Sequence, residues 1–148
     1  LMRELVHNPE QQKNSEYARR FQQPGAHESL TAEMLTGIVA GKDPSAQPHY
    51  LEAFKRSDIE AMLHYYKQNF PQAPYKETER ELPQIKVPVL QFHGLADFAL
   101  HHHGLNNTWE AIDAPYSLET IPGASHWVHH DAAEHVTATM IDWLKRNR

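Results

Sequence analysis

An acid and a histidine each follow a short apolar run, at positions where they could work together as a catalytic pair. Asp97 lies in HGLADF, three residues after the glycine that ends VPVLQFH, and His126 lies in GASHW, after SLETIPG. If both runs are parallel strands, their carboxyl ends meet at one edge of a sheet, which is where open α/β sheets bind ligands. There the carboxylate could orient the imidazole, and the imidazole could activate a nucleophile or a water molecule.

The spacing of this pair leaves two interpretations open. An acid followed by a histidine across one strand-helix-strand unit is the chain order of the last two members of an α/β-hydrolase triad. Alternatively, Asp97 caps a turn and His126 is a loop residue whose ring is satisfied by its neighbours. Spacing alone gives the two interpretations about equal weight.

The histidines fit a metal site less well than Asp97 and His126 fit a catalytic pair. His126 and His130 are four residues apart, but Asp131 is the predicted cap of the next helix, which places both in a loop, and the glutamate of an HExxH motif is absent. The three histidines at 101 to 103 should point in different directions in a helix or a strand, which indicates solvated loop residues or a weak adventitious metal patch. We predict no metal ligand and no cofactor, and the lack of cysteine excludes a thiolate zinc site.

Two tyrosines in the first half could act as hydrogen-bond donors. In the predicted helix around LHYYKQNFP, Tyr66 shares a face with apolar side chains, whereas Tyr65 is turned about 100° away. Tyr17 and Phe21 share a face of an earlier helix at i and i+4. An inward tyrosine on an apolar face is more often part of the core than a catalyst, and its hydroxyl still needs a partner.

The first half, residues 1 to 82, predicts helices and loops without a convincing strand. HNPEQQKNSEYARRFQQPG predicts one helix that begins at the N-cap Asn8 and ends at Pro24. SLTAEMLTGIVAGK predicts a second helix that ends near Gly41, and PHYLEAFKR predicts a third. A fourth begins at the capping box SDIE, with Ser57 as its cap, and ends before Pro71; the segment PQAPYKETERELPQIK after it predicts a surface linker.

The second half, residues 83 to 148, predicts β-α-β-α, the unit of a parallel sheet in an α/β protein. Its elements are a strand from Val87 to His93, a helix over LNNTWEAID, a strand over SLETIPG and a helix over DAAEHVTATMIDWLKRN, with Asp131 and Glu134 as its cap. Two parallel strands cannot form a sheet covered on both faces. We therefore expect either a partner chain on this surface or an exposed apolar patch where further strands belong.

Composition and charge exclude several classes of partner. The net charge is −5 and the pI is near 6.2, so the chain has no broad positive field for nucleic acid. Mean hydropathy is −0.69, and no apolar run approaches the roughly 20 residues that cross a bilayer, so we expect no membrane partner. The N-terminus lacks the apolar stretch of a signal peptide, and we expect a cytoplasmic protein.

Four motifs together resemble the epoxide hydrolases of the α/β-hydrolase fold. They are FQQPG at 21 to 25 with a tyrosine four residues before it, LHYYKQNFP at 63 to 71, VPVLQFHGLADFAL at 87 to 100 and GASHW at 123 to 127. The resemblance is specific in order and spacing, and it runs from about Asn8 to the C-terminus. It implies a partial α/β-hydrolase fold, in which residues 1–82 form a helical cap and residues 83–148 form the C-terminal part of the core.

The resemblance also implies a role for each candidate residue. Tyr17 and Tyr66 look like the cap tyrosines that hydrogen-bond the epoxide oxygen as the ring opens. Asp97 looks like the carboxylate that orients the base, and His126 looks like the base that activates water to hydrolyse a covalent ester. The residues expected in the substrate pocket are Trp127, Phe98 and Phe21.

The reaction implied is the conversion of a small apolar epoxide to a diol, without metal or cofactor. The nucleophile of the family is an aspartate on an elbow upstream of the cap, and these 148 residues contain no such elbow. We therefore expect the isolated chain to be inactive and to need an N-terminal half, or another chain that covers the sheet edge.

Two other functions fit parts of the pattern. A haloalkane or haloacid dehalogenase-like or esterase-like relative would share the Asp97–His126 pair. Halide release needs tryptophan or other N–H donors near the nucleophile, so the paired tyrosines favour the epoxide. A non-catalytic module could instead keep the cap as a binding or oligomerisation surface.

Overall fold

The computed structural model describes residues 1–40, 43–77 and 83–147. The helical region, residues 2–70, comes first, and the sheet region, residues 85–147, follows it. The α-helices of the helical region are α1 (Met2–His7), α2 (Pro9–Asn14), α3 (Glu16–Phe21), α4 (Ala32–Ala40), α5 (Gln47–Arg56) and α6 (Ile59–Asn69), with a 3-10 helix at Ala26–Ser29. The sheet region contains β1 (Val89–Gly94), 3-10 helices at His102–Leu105 and Thr108–Ala111, β2 (Tyr116–Ile121), α7 (Val128–Asp131) and α8 (Ala133–Arg146).

The predicted N-cap at Asn8 is confirmed, but the helix that follows is divided. The Asn8 side chain accepts hydrogen bonds from the backbone N–H groups of Glu10 and Gln11, and Pro9 is the first helical residue. The single helix predicted as far as Pro24 is wrong, because Ser15, with ψ of 5°, separates α2 from α3. The chain also forms α1, which the sequence did not indicate.

The caps of the later helices differ from the prediction in one place. The N-cap of α6 is Asp58, whose Oδ1 accepts from the backbone N–H of Ala61 at 2.9 Å. The capping box at Ser57 is wrong, because the Ser57 hydroxyl donates instead to the Ala53 carbonyl at the end of α5. The helix ends at Asn69, before Pro71, as predicted. The predicted end of the second helix at Gly41 and the domain boundary at residue 82 lie outside the described residues.

The two predicted strands pair in parallel, in a register that runs from Val89 beside Tyr116 to Gly94 beside Ile121. The α-helix predicted between them over LNNTWEAID is wrong, because the chain there makes two 3-10 turns. Asn107 lies between these turns at φ 65°, a left-handed conformation that an α-helix cannot continue. The partial α/β architecture is as predicted, with 3-10 helices in the crossover.

The last helix forms where predicted, but its cap does not. The four-residue helix α7 precedes it, and no side chain of the cap residue Ala132 hydrogen-bonds the first turn of α8. The caps predicted at Asp131 and Glu134 are therefore wrong. Asp131 lies in α7, where its Oδ2 accepts from the backbone N–H of Ser125 at 2.6 Å. This bond fixes the loop that carries His126.

Much of the apolar surface of the sheet region is exposed. Among the described residues the sheet has only β1 and β2, so each strand has one unpaired edge. The exposed large apolar side chains of this region include Val87, Leu118, Met140, Ile141 and Leu144. The expectation of exposed apolar surface beside an incomplete parallel sheet is confirmed. Within the same described ranges, no helix combines the length and apolar character needed to cross a membrane.

Candidate active site

Asp97 and His126 meet across the carboxyl ends of β1 and β2. The Asp97 Oδ2 lies 2.9 Å from the His126 Nδ1, within hydrogen-bond reach. The Asp97 side chain is 5% exposed and the His126 ring is 33% exposed, so the carboxylate is enclosed while the imidazole is open on one side. Because Nδ1 faces the carboxylate, Nε2 is the nitrogen that can act on a water molecule or a substrate.

Backbone hydrogen bonds hold the two loops that carry the pair. The Asp97 Oδ1 accepts from the backbone N–H of Ala99 at 2.7 Å and of Leu100 at 2.9 Å, which fixes the carboxylate in a tight turn. The backbone N–H of Ala96 donates to the Ala124 carbonyl at 2.9 Å and so joins this turn to the loop after β2. The Asp97–His126 distance is therefore set by the backbone of both loops.

Gly94 allows these loops to approach. A β-carbon at this position would overlap the backbone carbonyl oxygens of Ala124 and Ser125, which a side-chain rotation cannot relieve. Gly123 turns the second loop at φ 75°, a conformation that favours glycine. The sequence marked both glycines as strand ends, but only the folded loops show that Gly94 is needed for close backbone packing.

Electrostatics favour an ionised carboxylate beside a basic imidazole. Burial raises the pKa of Asp97, but hydrogen bonds from His126 and from two backbone N–H groups outweigh it and lower that pKa below 3.8. The hydrogen bond to Asp97 raises the pKa of His126 above 6.5, although burial opposes this shift. The geometry thus stabilises the charged form of the imidazole, as a base that takes up a proton requires.

Tyr17 and Tyr66 lie together although 49 positions separate them, from 17 to 66. Their rings pack edge to face with centroids 5.9 Å apart, and Phe21 contacts both rings. Gln22 joins the helices that carry them, because its amide donates to the backbone carbonyls of Tyr66 and Phe70 at the end of α6. Tyr65 is 68% exposed, in agreement with the predicted helical phase, and its ring lies perpendicular to the Tyr66 ring with centroids 5.5 Å apart.

Both tyrosines are held in the neutral form, with hydroxyl groups able to donate. Burial, followed by the neighbouring Tyr66 side chain, raises the pKa of Tyr17 to about 12. Burial also raises the pKa of Tyr66, although the neighbouring Tyr17 hydroxyl opposes the change. The charge of Asp97 adds to the rise at Tyr17, so this tyrosine lies within electrostatic range of the carboxylate.

The predicted pocket residues fall into two groups. Phe98 and Trp127 lie beside His126, and the Phe98 ring centroid is 6.1 Å from the imidazole and 5.4 Å from the indole. Phe21 packs on the tyrosine pair instead. Phe98 is 50% exposed, so it offers an apolar surface next to the base. A single cavity shared by both groups stays a prediction.

Gln11 joins the helical region to the turn after Asp97, a role that the sequence did not reveal. Its side chain is buried, its amide nitrogen donates to the Ala99 carbonyl and the Ser15 hydroxyl, and its oxygen accepts from the backbone N–H of His101. A glutamine in a helix usually indicates a solvated face. Its only sequence signal was the spacing to Ser15, which places both residues on one face of a helix.

The other histidines differ from their predicted settings. His130 lies in α7 and not in a loop, and its Nε2 lies 2.7 Å from the Tyr50 hydroxyl on α5, which is a second contact between the two regions. The His101, His102 and His103 rings were predicted to point apart, but their centroids lie 4.3 to 4.7 Å from one another. The prediction fails because His101 is extended while a 3-10 turn begins at His102.

Comparison with known proteins gives a consistent relationship, although no protein-family model matches the chain. Epoxide hydrolase A of Mycobacterium tuberculosis is 30% identical over 108 residues, which are 73% of this chain and 33% of that protein. Epoxide hydrolase 3 of Xenopus tropicalis is 31% identical over 85 residues, 57% of this chain and 22% of that protein. The chain thus spans about a third or less of the length of these curated relatives.

Solved structures match nearly the whole chain. A crystal structure of a mutant epoxide hydrolase from Bacillus megaterium has a TM-score of 0.79 and 24% identity, and the match covers 97% of this chain and 56% of that one. An epoxide hydrolase of the α/β hydrolases superfamily from metagenomes of hot environments has a TM-score of 0.74 and 27% identity, with coverage of 97% and 54%. The partial α/β-hydrolase fold is confirmed, as is the similarity to epoxide hydrolases that the motifs indicated.

Proposed function

The chain is a relative of the epoxide hydrolases and has the fold of part of an α/β-hydrolase, and from this we propose that it is the half of such an enzyme that carries the base. The observation that supports the proposal most is the Asp97–His126 pair at 2.9 Å, with Tyr17 within electrostatic range of the same carboxylate. The paired tyrosines belong to the helical region, and this region acts as a cap over Asp97 and His126. The substrate is a small apolar epoxide.

The first half of the reaction uses the tyrosines. A carboxylate from a segment outside these 148 residues attacks one epoxide carbon, the bond from that carbon to the ring oxygen breaks, and an ester forms. The electron pair of the broken bond goes to the ring oxygen, which Tyr17 and Tyr66 stabilise by hydrogen bonds until one hydroxyl transfers its proton. Because their pKa values are raised, both phenols are neutral donors at neutral pH.

The second half uses the base. The His126 Nε2 takes a proton from a water molecule, whose oxygen attacks the ester carbonyl carbon. The ester bond breaks, the diol leaves, and the carboxylate is restored. The proton held by His126 returns to the tyrosinate, so the sum of the steps is epoxide plus water to diol. Asp97 keeps the imidazole oriented and stabilises its charged form throughout.

A dehalogenase-like or esterase-like activity would use the same base. The paired tyrosines favour the epoxide, because two neutral O–H donors suit a developing alkoxide. We further propose that an N-terminal half supplies the nucleophile and pairs with the open edge of β1. The exposed apolar surface around the sheet and the partial coverage of the relatives support this part of the proposal.

The experiment is a single-turnover assay of the full-length protein with a simple aryl epoxide. His126→Ala should form the ester at the normal rate and then stop, so intact mass should show one covalent adduct per protein. The Tyr17→Phe/Tyr66→Phe variant should form the ester slower by on the order of 10²-fold or more, because the developing alkoxide loses its donors. Suitable controls are His135→Ala and Tyr65→Phe, since both side chains are exposed.

Three outcomes would contradict the proposal. Normal diol release by His126→Ala would show that His126 is not the base. Unchanged ester formation in the Tyr17→Phe/Tyr66→Phe variant would show that the tyrosines do not assist ring opening. Turnover by the isolated 17.1 kDa chain would show that it contains its own nucleophile. The expected result for the isolated chain is no turnover.

A further inference from the structure

Three consecutive imidazoles converge at the start of the crossover between β1 and β2. We define the histidine cluster as His101, His102 and His103. One ring nitrogen of each lies within 4.8 Å of those of the other two, although the residues follow one another in sequence. The extended backbone at His101, with ψ of 136°, followed by a 3-10 turn, brings the rings together. Nitrogens bound to one zinc ion at about 2.0–2.1 Å lie at most about 4.2 Å apart, so rotation of the exposed His102 and His103 side chains can bring the three nitrogens to one small cation.

The backbone of the histidine cluster is held in place by the helical region. The backbone N–H of His101 donates to Gln11 at 2.7 Å, and the Arg3 guanidinium donates to the His103 carbonyl at 2.9 Å. The His101 side chain is 13% exposed, and its Nδ1 accepts from the backbone N–H of His103. The backbone of the cluster and the His101 ring are therefore held by hydrogen bonds, while the His102 and His103 side chains are exposed.

Carboxylates lie beside the cluster and supply negative charge. The Glu10 Oε2 on α2 lies 2.9 Å from the His101 Nε2. Glu4, which is buried on α1, also interacts electrostatically with His102. Neutral imidazole suits Zn²⁺, Cu²⁺ and Ni²⁺, and zinc also accepts a carboxylate oxygen as a ligand. The three ring nitrogens are the donors within mutual reach. The Glu10 carboxylate lies beside His101 and is 76% exposed, so its side chain would have to turn towards the other two rings to give zinc a fourth ligand.

We propose that the histidine cluster binds a divalent transition metal ion, with Zn²⁺ as the best fit, and that Glu10 completes the site. The metal replaces the proton between the His101 Nε2 and the Glu10 carboxylate. Because Glu10 belongs to α2 and the cluster belongs to the sheet region, the bound ion joins the two regions close to the turn of Asp97. This site is separate from the proposed hydrolysis, which uses His126 and no metal.

The test uses the full-length protein without an affinity tag, titrated with zinc chloride by calorimetry. We expect one equivalent to bind, and His102→Ala and His103→Ala should each weaken binding by at least tenfold. Glu10→Gln should weaken it by about tenfold, because the site loses its anionic oxygen ligand. The matched controls are His49→Ala and His64→Ala, which change exposed histidines elsewhere. Zinc should also raise the melting temperature, because an ion that binds only the folded state stabilises it.

Substitution of His102 or His103 should not unfold the protein, because both side chains are exposed. Circular dichroism of each variant verifies this point. The proposal is wrong if zinc shows no saturable binding, or if the cluster variants bind zinc as tightly as the controls do. Cobalt gives a second readout, since a site with these ligands should produce visible absorption that the two cluster variants lack. Diol formation can be measured in the same samples, so failure of the metal site is distinguishable from failure of the base.

Discussion

The helical region and the sheet region hold their site residues by different means. In the sheet region, the backbone sets the position of Asp97 and His126, through the bond from Ala96 to Ala124 and the close approach at Gly94. In the helical region, Tyr17 and Tyr66 are positioned by ring packing between two helices, with side-chain bonds from Gln22. The proposed base is therefore held by backbone contacts, and the proposed donors are held by aromatic packing.

This difference predicts which substitutions should disrupt each half of the site. Backbone contacts leave no room for a methyl group, so a small substitution in the sheet region should displace the base. Aromatic packing tolerates small changes of shape, so the donors should respond mainly to loss of their hydroxyls or of the contacts between the regions. Those contacts include the hydrogen bonds of Gln11 with Ala99, of Arg3 with His103 and of Tyr50 with His130.

The largest expected effect comes from Asp97, the carboxylate that we propose orients the base. Asp97→Asn keeps the shape of the side chain but replaces the acceptor with an amide that favours the wrong imidazole tautomer. We expect kcat for epoxide hydrolysis by the full-length protein to fall by on the order of 10⁴-fold. Asp142→Asn is the control, because that carboxylate is exposed and pairs with Lys145 on the same helix, α8. A loss of less than tenfold in Asp97→Asn would show that Asp97 only caps its turn.

Gly94→Ala tests whether the backbone of the two loops determines the position of His126, the proposed base. The added methyl would overlap the carbonyls of Ala124 and Ser125, so the loop of His126 must move. Displacement of a catalytic group by about 1 Å costs on the order of 10²-fold in rate, and we expect a fall of that size in kcat. Gly37→Ala is the same substitution on α4, where a β-carbon meets nothing within 4 Å. Activity within a factor of two in Gly94→Ala would contradict the backbone account, whereas Gly37→Ala should leave activity unchanged.

The sheet region was the easier part to predict from sequence, because its signals are local. The apolar runs before Gly94 and Gly123 gave both strands, and the residues just after them gave the Asp97–His126 contact. Local signals failed where a competing bond decided the structure. Asp131 was expected to cap α8, but it binds the backbone N–H of Ser125.

The helical region was harder to predict in detail, because its decisive contacts join distant residues. Helical phase indicated that Tyr66 points inward, but the pairing with Tyr17 followed only from the family resemblance. The spacing to Ser15 was a local signal at Gln11, but it did not indicate burial, because the partners in the sheet region, Ala99 and His101, lie 88 and 90 residues away. Hydrogen bonds between residues so far apart in the sequence leave no periodic pattern in it.

Gln11→Leu should weaken the joint between the two regions without touching the pair itself. The leucine leaves the buried Ala99 carbonyl and the backbone N–H of His101 without their partner. Each unsatisfied buried group costs 1–3 kcal/mol, so we expect the free energy of unfolding to fall by about 2 kcal/mol or more in urea titration. Gln68→Leu on the exposed face of α6 is the control and should change it by less than about 0.5 kcal/mol. Equal stability of the two variants would show that Gln11 does not hold the regions together.

The smallest expected effect is the pH dependence of the Asp97–His126 pair. The pKa of His126 is raised above 6.5, so its stabilisation is fully present below pH 6.5 and is lost as pH rises through the folded-state pKa. The pKa of Asp97 is lowered below 3.8, so its stabilisation is present above pH 3.8 and is lost as pH falls through the folded-state pKa. The free energy of unfolding of the wild type should therefore exceed that of Asp97→Asn/His126→Gln by the largest amount at about pH 5.5. At about pH 9 this difference should be smaller by about 0.5 kcal/mol. The decrease is small because the imidazole is partly exposed and its charge is screened by solvent. The exposed variant His135→Gln provides the control for general titration, and an excess that grows with pH would mean that the pair stabilises the neutral imidazole instead.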